Sequence, residues 1–182
     1  MSNKPRERCV WATSTPEYVT YHDDEWGRPL HGDRELFERM SLEAFQSGLS
    51  WLIILRKRPA FRAAFADFDP KVVAGFDDHD VARLLADAGI VRNRAKIDAT
   101  IANARHVLES VPEGIDALLW SFAPPKQKKA PIEVRSVSDE SKAMAKELKR
   151  RGFKFVGPTT AYALMQATGM VNDHVRPCWL AL

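Results

Sequence analysis

From Gly152 to Cys178 the chain reads GFKFVGPTTAYALMQATGMVNDHVRPC, an order of residues that leaves the backbone few paths. Gly152 can stop a helix and Val156-Gly157 can turn. Pro158 suits the first position of a new helix, where its missing N–H would have had no partner. The stretch predicts a helix-hairpin-helix, with Gly157 taking the positive φ of the hairpin. Thr159 and Thr160 fall where the new helix has unpaired backbone N–H groups, at the positive end of its dipole, so the turn suits a phosphate. Lys142, Lys146, Lys149, Arg150 and Arg151 precede the turn and Lys154 sits in it, flanking it with cations. An αα-hairpin formed for packing alone would read in the same way.

At 182 residues the chain has enough length for one domain or two intimately packed lobes around a sizeable core. Its net charge is only +3, so a basic surface must come from clustering, chiefly at Lys126–Lys129 and Lys142–Lys154. No apolar run is long enough to span a membrane, and MSNKPRERCVWATS lacks the apolar centre of a signal peptide, which predicts a cytoplasmic protein without a membrane partner.

The only two cysteines, Cys9 and Cys178, stand at opposite ends of the chain, each with a histidine nearby: Cys9 with His22, Cys178 with His174. In a reducing compartment a disulfide is disfavoured, and two thiolates with two imidazoles suit tetrahedral zinc. Such an ion would tie the termini together and, with four protein ligands, leave no position for a catalytic water. Inert buried cysteines and an ordinary helix-terminal histidine are the competing account.

The remaining punctuation is that of an all-α protein of about eight helices. Asp33, Asp69, Asp77 or Asp78, and Asn93 are N-cap candidates, Gly89 and Gly152 are candidate stops, and Ile97, Ile101, Ala104 and Leu108 keep the helical period. Prolines and like charges over 123–132 predict a flexible linker. Trp11, Tyr18, Tyr21, Trp26 and Trp51 crowd into the first third. They can form a core, or a cage for a planar ring, and the acids of YHDDEWG would make such a cage favour a cationic one. Glu43 lies at the edge of its helix's apolar stripe, where a carboxylate is costly to bury, so it is either a site residue or an exposed partner of Arg39 one turn earlier.

Taken in order, RCVW, YHDDEWGRP, LFERMSLEAFQSGLSW, DAGIVRNRAKI and GFKFVGPTTAYALMQATGMVNDH resemble the DNA-3-methyladenine glycosylase I family over nearly the whole chain. The resemblance implies a single helix-hairpin-helix glycosylase unit, expected to be a monomer, that excises 3-methyladenine from double-stranded alkylated DNA. It implies a structural zinc held by Cys9, His22, His174 and Cys178, a base pocket of Trp11, Tyr18, Tyr21, Glu43 and Trp51, and a catalytic part for Glu43. Gly48 and Leu49 match the segment that fills the gap left by a flipped nucleotide, with Lys154, Gly157 and Thr159 on the DNA backbone. Thr159 stands where bifunctional helix-hairpin-helix glycosylases carry a Schiff-base lysine, and Asn172 falls near the position of their catalytic aspartate, so base release without strand cleavage is expected. Phe155 replaces the first hairpin glycine, which implies a different hairpin geometry. A non-catalytic, zinc-stabilised DNA-binding module is the alternative, although such a module has no use for an acid beside an aromatic cage.

Overall fold

The computed structural model describes residues 6–182. Among these are nine α-helices and no strand: α1 Pro16–Asp24, α2 Asp33–Gln46, α3 Trp51–Ala64, α4 Pro70–Val73, α5 Asp78–Ala86, α6 Arg94–Ser110, α7 Ile115–Trp120, α8 Asp139–Arg150 and α9 Pro158–Ala167. Short 3₁₀ turns at Val10–Thr13 and Ala66–Phe68 lead into α1 and α4.

The helix starts that rest on local partners fall where the sequence puts them. The Asp69 side chain accepts from the Lys71 N–H, Asp77 from those of His79 and Asp80, and Asn93 from that of Lys96. Asp33 is different. It lies inside the first turn of α2, after Gly32, and its carboxylate accepts the N–H of Asp116 at the start of α7, while the Asp116 carboxylate accepts the N–H of Gly32. The two helices therefore cap each other across the fold. Gly89 does not end α5, which stops at Ala86; its N–H is held instead by the Asp87 carboxylate. Gly152, at φ +95°, follows α8 as a stop.

Helix α2 lies at the centre, packed against α3, α6, α7 and α9. Its Leu36, Phe37, Met40 and Phe45 are sealed from solvent, and Phe45 meets Phe61 at 4.7 Å between ring centroids. This large core is where burial of apolar area stabilises the fold most. A second, smaller cluster of Cys9, Tyr21, Trp26, Ala167 and Cys178 gathers the two ends of the chain beside it. The expected linker at 123–132 has no regular structure, but the irregular path runs on until Ser138 caps α8. It is pinned at Gln127, which exchanges two hydrogen bonds with the Asn172 backbone.

Candidate active site and metal centre

A cavity of about 500 Å³ opens between the two clusters, and all five residues expected around a base line it: Trp11, Tyr18, Tyr21, Glu43 and Trp51. Trp11 comes from the turn before α1, Tyr18 and Tyr21 from one face of α1, Glu43 from the central helix and Trp51 from the first position of α3. Edge-to-face contacts of Trp11 with Tyr18 at 5.5 Å and with Trp26 at 5.1 Å brace the rings. Their hydroxyls are committed elsewhere. Tyr18 accepts the N–H of Leu52 and so caps α3, while Tyr21 accepts from Arg39 at 2.9 Å.

Arg39 does not pair with Glu43, as an exposed i−4 couple would. Its guanidinium is drawn to Tyr21 and to Glu25, which also takes two hydrogen bonds from Arg58. Glu43 is only 5% exposed, and no donor among the described residues reaches its carboxylate. Burial, opposed in part by the charge of Arg39, pushes its carboxyl up to about 7. The acids of YHDDEWG leave the pocket alone: Asp23 pairs with Arg8 and His22, and Glu25 with the two arginines. Negative charge in the cavity is thus Glu43's. Trp51 contributes a second orphan, an indole N–H that is buried with no acceptor. Gln46 and Ser50, at the ends of the turn expected to face DNA, line the cavity as well, and so does Gln166, an amide that no sequence signal marked.

Behind the aromatic wall, Cys9, His22, His174 and Cys178 are all buried, with their donor atoms within 4.8 Å of one another. The Cys178 sulfur lies 3.4 Å from His22 Nε2 and 3.5 Å from His174 Nδ1, and the Cys9 sulfur 3.6 Å from His174 Nδ1. Zn–S and Zn–N bonds of about 2.3 and 2.0 Å give a tetrahedral sulfur-to-nitrogen edge of about 3.5 Å, so the set fits an ion of that size. The outer nitrogens are placed as metal ligands require: His22 Nδ1 meets the Asp23 carboxylate at 2.9 Å and His174 Nε2 the Trp26 carbonyl at 3.3 Å. Arg8 in turn holds Asp23 with its Nε and Nη2. Burial pushes the Cys9 thiol up to about 11 and, with the neighbouring His22, the His174 imidazole down to about 4. Only a cation would draw thiolate from such surroundings. Asp23, adjacent to His22 in sequence, is the residue at the cluster that the pattern of cysteines and histidines did not single out.

The segment between α8 and α9 is a hairpin, but past the Gly152 stop its left-handed residue is Phe155 at φ 55°, and Gly157 adopts the ordinary φ of −67° as the cap of α9. The turn bends two residues earlier than expected, and a Cβ on Gly157 would meet nothing within 4 Å. Lys154 and Thr159 are exposed there, and the backbone N–H and carbonyl of Lys154 are clasped by the Asn103 side chain. Arg150 and Arg151 are not free to flank a phosphate: both are bound to Glu147, and Arg151 also to Glu113. Gly48 and Leu49 form an exposed turn between α2 and α3, flanked by the cavity residues Gln46 and Ser50. Asn172 is structural, its side chain accepting from the His174 N–H and donating to the Leu180 carbonyl.

An all-helical body with an aromatic cleft, a buried carboxylate at its back and an exposed hairpin defines a class of proteins that can lift a planar base out of a nucleic acid and hold it. The family model described as methyladenine glycosylase matches residues 11–181, and the chain belongs to that family. It is 47% identical over 179 residues to DNA-3-methyladenine glycosylase 1 of Escherichia coli, with 94% of this chain and 95% of the relative aligned. The solved structure of a 3-methyladenine DNA glycosylase I superposes with a TM-score of 0.91 at 44% identity, covering 97% of this chain and all of the other. The Staphylococcus aureus 3-methyladenine DNA glycosylase I, solved to explain 3-methyladenine recognition, superposes with a TM-score of 0.88 at 35% identity, covering 96% of each chain.

Proposed function

We infer that this chain is a monofunctional glycosylase that hydrolyses the N-glycosidic bond of 3-methyladenine in alkylated double-stranded DNA and leaves an abasic site. The observation that carries this reading is Glu43: a carboxylate without a protein partner, at the back of a cleft otherwise built of rings. N3-methylation makes the adenine of a nucleotide cationic, so a buried carboxylate selects it over the neutral base, and Trp51 with the tyrosines can stack on it. Flipping the damaged nucleotide costs a few kcal/mol, less where pairing is already weakened. The leaving group is activated by its own charge, so orientation of the base and stabilisation of the developing sugar cation can carry the reaction without a strong general base.

Gly48 and Leu49, on the turn beside the cleft, suit the gap that the flipped nucleotide leaves. Lys154, Gly157 and Thr159 suit the phosphate backbone through the exposed lysine and the free N–H groups opening α9. In this reading the hairpin is a helix-hairpin-helix element, and Cys9, His22, His174 and Cys178 hold a zinc ion whose part is to fix the termini against the pocket wall. Incubation of the protein with methylated DNA, followed by analysis of released bases, tests the reaction. Release of 3-methyladenine with an intact strand is expected, cut only by later alkali. A covalent adduct trapped by borohydride during turnover would overturn the monofunctional assignment.

A further inference from the structure

Among the described residues one lysine is buried, and it grips the turn that borders the base cavity. Lys96 is 8% exposed, and no carboxylate among the described residues pairs with it. Burying a cation without an anion is costly. Here the ammonium donates instead to two backbone carbonyls, that of Phe45 at 2.8 Å and that of Ser47 at 2.6 Å. Both lie at the end of α2, where carbonyls lack helical donors and the helix dipole is negative, so a cation suits the place. Lys96 is itself rooted in the first turn of α6, its N–H donating to the Asn93 cap. Helix α6 thereby holds the last residues of α2 immediately before Gly48 and Leu49. Within the turn, the Gln46 amide donates to the Leu49 carbonyl at 3.1 Å. The root of the turn is thus held twice while its tip projects: a Cβ on Gly48 would meet nothing within 4 Å, and Leu49 is 37% exposed.

We propose that Lys96 is a positioning residue for nucleotide flipping, holding the root of the Gly48–Leu49 turn so that the turn enters the base stack already ordered. This rests on the glycosylase reading and on the part given there to Gly48 and Leu49, and it adds what makes those two residues effective. A turn that is loose in the free protein must be ordered as it enters the gap, and that loss of freedom is subtracted from the energy that keeps the nucleotide out of the stack. Fixing the turn in advance moves the cost into folding. Lys96 does not line the base cavity, so it acts through the turn and not on the base or on the bond that breaks. A neutral side chain at this position leaves the two carbonyls without their donor and the turn free to fray.

The test compares two readouts on the full-length protein: the single-turnover rate of 3-methyladenine release from a methylated duplex, and the affinity for free 3-methyladenine, followed by quenching of tryptophan fluorescence. Lys96→Met is expected to slow release about tenfold, the loss that comes with ordering roughly one free residue at insertion, and to leave free-base affinity unchanged. A merely structural lysine would move both readouts together. Leu49→Ala should also slow release alone, and the double variant should be no slower than the slower single one, because Lys96 acts only through the turn. A Lys96→Met protein at the wild-type rate beside a slowed Leu49→Ala overturns the proposal and leaves the reading of the turn standing. Loss of free-base affinity in step with release, or a double variant whose effects multiply, overturns it as well. Should Lys96→Met fail to fold, Lys96→Gln, shorter and uncharged, takes its place with the same outcomes. Leu49→Ala at the wild-type rate would overturn the reading of the turn and the part of Lys96 with it, whereas a wild type that releases no base from the duplex would break the glycosylase reading itself.

Discussion

The metal-capable cluster and the base pocket share a wall, since Trp26 packs on His174 at 4.7 Å and also lines the cavity. They are built on opposite terms. In the cluster, each ring nitrogen has a partner: one faces a thiol, the other a carboxylate or a backbone carbonyl. In the pocket, the Glu43 carboxylate and the Trp51 N–H have none among the described residues. Buried polar groups are almost always satisfied, and each one left open costs of order 1–3 kcal/mol. The difference separates a site that is finished by the fold, or by the fold and an ion, from one that waits for a ligand.

The sharpest way to break this contrast is to remove a cluster ligand. Cys178→Ser is expected to abolish stoichiometric zinc and to cost at least about 4 kcal/mol, a fall of roughly 8–16 °C in melting temperature, because a zinc ion held by the four residues would join the two ends of the chain and its binding would be coupled to folding. A chelator should act on wild type in the same direction. Metal analysis that finds no zinc in freshly purified wild type would return the four residues to a packed, metal-free cluster.

Glu43→Gln should leave the cluster intact and disable the pocket. The amide keeps the size and loses the charge, so binding of 3-methyladenine in DNA should fall about ten- to a hundredfold, from roughly 1.5–3 kcal/mol of charge-assisted hydrogen bonding. Calorimetry on an alkylated oligonucleotide reads this directly, and unchanged affinity would remove Glu43 from the site.

These two regions were not equally legible in sequence. Cysteine is so scarce here that Cys9 and Cys178, each with a histidine at short range, stand out without any structure. Helix caps such as Asn93 and Asp77 were readable for a related reason: their partners lie within three residues. The burial of Glu43 was not, because Arg39 sits at the right spacing to neutralise it, and only the fold reveals that Tyr21 and Glu25 take that guanidinium away. The mutual capping of α2 and α7, the grip of Lys96 on the end of α2 and the orphaned Trp51 N–H likewise depend on what tertiary packing brings together or leaves out. The left-handed turn was expected at the residue type that adopts it most cheaply, Gly157, and it occurs at Phe155.

The open carboxylate also has a thermodynamic signature of its own. Burial raises the Glu43 carboxyl from its ordinary value near 4.5 to about 7. Between those values the native protein holds a proton that the unfolded chain has released, so this group's contribution to stability is complete below about pH 4.5 and is lost as pH rises through 7. Above pH 7 the cost is full, on the order of 1–3 kcal/mol. Glu43→Gln should therefore be more stable than wild type at pH 8 and close to it at pH 4.5. Urea midpoints that differ by the same amount at both values would show that Glu43 does not titrate in the native state.

The smallest expected effect lies in the hairpin, where backbone geometry is left strained although the polar groups are satisfied. Asn103 secures both backbone groups of Lys154, so the turn is well anchored, yet Phe155 holds a left-handed φ that costs a side chain about 1–2 kcal/mol. Glycine relieves that cost and adds about 0.5–1 kcal/mol of unfolded-state entropy. Phe155 is 40% exposed, so its ring still buries more than half of its area, and losing that burial offsets most of the relief. Phe155→Gly should thus stabilise the protein by no more than about 1 kcal/mol, a shift of roughly 2–4 °C. A destabilisation of similar size would mean that the ring packs against the hairpin strongly enough to offset the strain, and the turn would then join the cluster as a region finished by its own contacts.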